Sequence, residues 1–210
     1  MKRKEKSEAG VQQSRFHIVA NQLALDLANT EVMDAGVRVD LIEDFERLVG
    51  WLTTARVLSP QQNSAVLKRF ADPNARRQAV WEAKRLRQAM HLLIAAAVSG
   101  RQVPGSVLED INRVLRGGHA YRQLIRNRDG FSLIEESKLS TPLQLLAPVA
   151  ESAADLLAHG DLAFIRKCEN PKCILHLYDT TKNHSRRWCS MSACGNRNKV
   201  QAYRKRRVAE

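Results

Sequence analysis

Four cysteines are present in the chain, Cys168, Cys173, Cys189 and Cys194, all in its last quarter. They form two C-x4-C pairs with fifteen residues between them. Each close pair can close a short loop on one Zn²⁺, and the segment between lets the pairs converge tetrahedrally. Four thiolates fill the coordination shell and leave no place for water, so such an ion would be structural and not catalytic. Four ordinary free cysteines are the competing reading. His176 and His184 lie between the pairs as possible substitute ligands, but four cysteines already complete the set.

The same region carries most of the charge. The chain has 34 Lys and Arg against 22 Asp and Glu, a formal net of +12. From Arg166 onward there are 12 basic and 3 acidic residues, so +9 of that excess belongs to the last 45 residues. Such asymmetry points to a polyanion, most often nucleic acid, with a solubilising basic tail as the bland alternative.

The elements that must position these groups are read from periodicity and punctuation. Residues 1–14 are polar and aperiodic and are expected to be disordered. Phe16, Ile18 and Val19 suggest a short strand, and Leu23–Thr30 (LALDLANT) a short helix. Asp40 reads as the N-cap of a helix to about Thr54. Ser59-Pro60, Asp72-Pro73 and Thr141-Pro142 are further start signals, because proline at the first helical position loses no hydrogen bond. They predict helices to about Phe70, Ser99 and His159, the last with Pro148 as a candidate bend. Another helix fits Ser106–Leu115. Ala120–Ile125 and Phe131–Ile134 flank Asp129-Gly130 as a hairpin.

In the tail, Ile174–Tyr178 and Arg186–Trp188 are expected to pair as strands. Ser192 would then cap a helix that holds Cys194 in its first turn and runs through Arg207. A knuckle, a hairpin and a helix that supplies a ligand make up the layout called a treble clef. The expected fold class is thus mainly α with a small β-hairpin (α+β): a helical domain over 15–160, then a treble-clef zinc finger over 161–210. Trp188 and Tyr203 are read as the finger's miniature core.

The expected nucleic-acid contacts are Arg186, Arg187, Asn196, Arg197, Lys199, Arg204, Lys205, Arg206 and Arg207. Arg197 or the flanking asparagines suit base edges, and the 204–207 cluster suits phosphates. Asp26, Asn29 and Thr30 are polar residues among apolar ones, able to line a ligand pocket or to make caps and loop hydrogen bonds. No nucleophile–base arrangement, phosphate loop or paired-carboxylate signature is visible, and no enzyme is expected. No signal peptide and no membrane-length apolar stretch appear, so the expected compartment is the cytoplasm, where thiols stay reduced.

Trp188-Cys189-Ser190-Met191, then Cys194-Gly195-Asn196-Arg197 and a basic helix, resemble the CGNR zinc-finger family. Leu23–Thr30 resembles the opening of the helical ABATE domain usually fused to it, although that family tends to have an aromatic where Leu27 and Ala28 stand. The resemblance implies a bacterial stress-responsive transcription regulator, a DNA-binding finger and a body that senses a small molecule or stress signal. Carried over by position, the four cysteines match the metal ligands, and Gly195, Asn196 and Arg197 the signature. Duplex DNA is the expected partner, with a homodimer possible. An RNA-binding zinc protein and a thiol redox sensor remain alternatives.

Overall fold

The computed structural model describes residues 16–118, 121–128, 130–136 and 139–209; residues 1–14, expected to be disordered, and Ala120 and Asp129 of the expected hairpin lie outside them. The elements are α1 (Leu23–Ala28), β1 (Glu31–Asp34), β2 (Val37–Asp40), α2 (Phe45–Thr54), α3 (Pro60–Arg69), α4 (Pro73–Val98), α5 (Gly105–Gly117), β3 (Tyr121–Asn127), β4 (Gly130–Glu136), α6 (Pro142–His159), β5 (Ile165–Lys167), β6 (His176–Tyr178) and α7 (Asn196–Ala209). The fold is mainly α with three small antiparallel two-stranded sheets.

The start signals act as their chemistry requires. Ser59 and Gln62 form a reciprocal capping box at α3, and Thr141 and Gln144 another at α6. The Asp72 carboxylate accepts from the Asn74 N–H at α4. Pro148 removes one donor from α6, yet the helix runs on to His159. Leu145, Leu146, Val149 and Ala150 are buried around it, so packing outweighs the lost bond. The core centres on α4, whose Ala79, Ala83, Leu86, Met90, Leu93 and Ile94 are buried. It packs against α1, α2, α5 and α6. Trp51 is fully buried in that core, whereas Trp81 is exposed with the Arg85 guanidinium 5.4 Å above its ring.

Three expectations need correction. Residues 16–19 form no strand but run as extended chain into the finger contact. A hairpin, β1–β2, occupies 31–40 where loop and helix start were expected, and its turn residues Ala35 and Gly36 both have positive φ (45° and 87°). That is the requirement of a type I′ turn, which only Gly, Asn or Asp normally signals. Asp40 therefore ends a strand; Asp44 caps α2 by accepting from the Arg47 N–H at 2.7 Å. Finally, β6 pairs with β5, in the register Ile165↔Tyr178 and Lys167↔His176. Residues 186–188 form no strand.

Candidate metal centre and the helix it roots

The β5–β6 hairpin brings the first cysteine pair to its turn. The Cys168 N–H donates to the Leu175 carbonyl at 2.9 Å, and the Cys173 N–H to that of Asn170 at 2.8 Å. The Asn170 side chain accepts from the Lys172 N–H, which locks a tight Asx turn. The returning segment crosses beside this knuckle, where the Glu169 N–H donates to the Arg187 carbonyl. Ser190, not Ser192, then caps the last helical segment by accepting from the Ala193 N–H. A single π-type turn, Met191–Gly195, precedes α7 and carries Cys194.

The four sulfur atoms converge within 4.8 Å of one another, and the Cys173 and Cys189 sulfurs are 3.9 Å apart. Four sulfurs about 2.3 Å from one zinc would be about 3.8 Å apart, so the set fits a single tetrahedral ion. The charge balance agrees. Hydrogen bonding from Cys189 pulls the Cys173 thiol down to about 5, while the same contact and burial push Cys189 up. Burial also raises Cys194. One thiolate is easy here and four are not without a cation among them. Zinc, once bound, supplies a cross-link and no reaction. The crevice over the cluster encloses about 90 Å³, well below the roughly 300 Å³ at which ordinary ligand sites begin.

Neither histidine joins the set. His184 stacks on Phe164 with ring centroids 3.7 Å apart, and burial lowers His176 to about 4. A Cβ at Gly195 would meet the Met191 Sδ at 2.9 Å and the Trp188 Cδ1 at 3.3 Å, so glycine lets the π-turn pack closely on these two side chains.

Two family models match the chain. Residues 21–160 match ABATE, described as "Putative stress-induced transcription regulator", and 165–207 match the CGNR zinc finger. This chain belongs to the ABATE family. No curated protein matches it.

The ABATE body and the CGNR finger share a bonded seam. The Asn29 side chain donates to the His176 carbonyl at 2.8 Å and accepts from the His176 N–H at 2.9 Å, as a neighbouring peptide would. Tyr178 N–H donates to the Ala20 carbonyl at 2.7 Å. Val19 and Val32 pack against the cysteine cluster itself. Asp26 accepts from the Val19 and Ala20 N–H groups, and burial raises its carboxyl to about 6. Thr30 donates to the Leu27 carbonyl and accepts from Arg87. Asp26, Asn29 and Thr30 are thus buried and bonded within the protein.

The basic residues divide into groups. Arg186 donates to the Val19, Trp188 and Cys189 carbonyls at 2.6, 3.2 and 2.7 Å, so its guanidinium, expected to contact nucleic acid, braces the seam. Arg187 is exposed, paired with Glu169 and laid over the Trp188 ring. On α7, Asn196, Arg197 and Arg204 share one stripe with Val200 and Gln201, lining an open groove of about 950 Å³. Val200 and Gln201 were missed, although four-residue spacing from Asn196 and Arg197 gives them away. Lys199 is exposed but lies about 140–160° around the helix from Arg197 and Arg204. Arg207 sits over an exposed Tyr203, which is therefore not core. The side chains of Lys205 and Arg206 lie outside the described residues. Among the described residues, no helix is long and apolar enough to cross a membrane.

Proposed function

We propose that this protein is a DNA-binding transcription regulator, in which a structural zinc ion held by Cys168, Cys173, Cys189 and Cys194 fixes α7 for docking on duplex DNA. Residues 161–210 act as the reading finger and 15–160 as the body that receives a stress signal. No catalytic step is assigned to either. The observation that carries this reading is the exposed α7 stripe of Asn196, Arg197, Val200, Gln201 and Arg204, rooted at Cys194. Its two arginines and the cations beside it neutralise phosphates, each contributing about −0.9 to the slope of log K against log salt. The polar and apolar members between them match base edges in a major groove.

Fluorescence anisotropy with duplex DNA across a salt series tests this. The zinc-loaded chain is expected to bind with a steep salt slope, and Arg197→Glu with Arg204→Glu to weaken binding at least about a hundredfold. Unchanged affinity with a flat salt response overturns the proposal. Structured RNA outcompeting duplex DNA at fixed salt would replace it with the RNA-binding reading.

A further inference from the structure

The β3–β4 hairpin is the part of the body whose surface has no counterpart in the functions assigned so far. Its two seven-residue strands pair from Tyr121↔Glu136 to Asn127↔Gly130. Among the described residues its extensive contacts are between its own strands. A two-stranded ribbon is marginal alone in water and usually needs a further strand or a packed face. One face turns three large apolar side chains outward. Leu124 and Leu133 are directly opposed in the register and are 65% and 60% exposed; Phe131, opposite Arg126, is 65% exposed.

We propose that this face is a self-association surface, and that its occupant is the same hairpin of a second copy of this chain. The pairing chemistry favours self over another partner. Two neighbouring cross-strand pairs on the face have complementary members: Leu124 with Leu133, and Arg126 with the Phe131 ring, 5.1 Å from guanidinium to centroid. A two-fold axis along the ribbon lays β3 of one copy over β4 of the other at the same level. Leu124 then meets the partner's Leu133, and Arg126 meets the partner's Phe131, so every contact satisfied within the hairpin is satisfied again between copies. This is the isologous match that a two-fold dimer needs. A lipid surface would use the leucines and the phenylalanine but would gain nothing from their matched order.

The area is sufficient. The three side chains present on the order of 350 Å² of apolar surface per copy. Two copies would bury about 700 Å² of it. With apolar atoms supplying about 60% of an interface, the whole contact comes to about 1,200 Å², the lower end for a stable complex. A patch of about 350 Å² is the size of the largest apolar patch on a typical monomer, and such patches are often functional.

Sedimentation velocity on the full zinc-loaded chain decides the matter, with zinc content and circular dichroism as controls for folding. The wild-type chain is expected to sediment as a dimer at micromolar concentration. Leu124→Lys with Leu133→Lys sets like charges against each other across the axis, so that variant is expected to be monomeric with unchanged zinc and helix content. Both residues are exposed, so the substitutions spare the core. A wild-type chain that stays monomeric overturns the proposal, whether or not the face then binds lipid vesicles. A double variant that remains a dimer overturns it equally.

Discussion

The body carries two hairpins, and they are held in opposite ways. β1–β2 is short, four residues a strand, and is fastened at the end away from its turn. The Arg87 guanidinium, only 4% exposed, forms a bidentate pair with Asp40 at 2.6 and 2.8 Å and reaches Glu31 at 3.3 Å. Burial alone would raise the Asp40 carboxyl, but Arg87 and Lys84 hold it well below the usual carboxylate range. On the same hairpin, Val32 touches the cysteine cluster. β3–β4 is nearly twice as long and points its largest apolar side chains at solvent. Strand length therefore says little about how firmly a ribbon is placed; what matters is which groups its outward positions meet. One hairpin is part of the finger's foundation, and the other is an arm.

Removing the metal should separate the two most sharply. Structural zinc sites contribute about 10–16 kcal/mol of apparent binding free energy. Chelation at neutral pH is expected to abolish amide protection from Ile165 to Gly195 and to loosen β1–β2 through Val32, leaving β3–β4 as before. Hydrogen exchange read by mass spectrometry checks this. An equal response in both hairpins would break the contrast.

Next in size is Arg87→Ala, which leaves the half-buried carboxylates of Asp40 and Glu31 to the more exposed Lys84 and Arg38. Losing one partner of a fully buried pair costs about 3–5 kcal/mol, so about 2–3 kcal/mol is expected where other cations remain. Urea unfolding should show that loss, and a cost below about 1 kcal/mol would mean the network does not hold β1–β2.

The smallest effect concerns Asp26, on the fastened side of the molecule. Its folded pKa of about 6 stands above the unfolded value of 3.8. Ionisation therefore opposes folding: the penalty is fully present above pH 6 and fades as pH falls toward 4. Asp26→Asn keeps an acceptor for Val19 and Ala20 without the charge. It is expected to stabilise the protein by about 1–2 kcal/mol at pH 7.5 and by little at pH 4. Equal gains at both pH values would show that the carboxyl is not under strain from burial.

Much of this could be read in the sequence because local chemistry decides it. Cys168, Cys173, Cys189 and Cys194 announce a cluster through spacing alone, and Ser59, Asp72 and Thr141 announce helix starts through the proline that follows. What escaped depends on distant neighbours. The turn of β1–β2 places Ala35 at positive φ, where alanine gives no signal. Asp40 is as good a cap by type as Asp44, and only Arg87, 47 residues away, claims it for another task. The partner strand of β6 is three residues of Ile165–Lys167, too short for any period. Arg186 reads as one more cation in a basic run, and only the carbonyls of Val19, Trp188 and Cys189 turn it into a brace.

The two bonds between Asn29 and the His176 backbone have a mechanical consequence. They tie the end of α1 to β6, in the finger whose cysteine cluster roots α7, and the fourteen residues of α7 extend about 21 Å. A swivel of ten degrees at that root would sweep the tip through roughly 3–4 Å, about one base-pair step of DNA. A small rotation of the finger against the body would thereby be geared up into a displacement of several ångströms at the far end of α7.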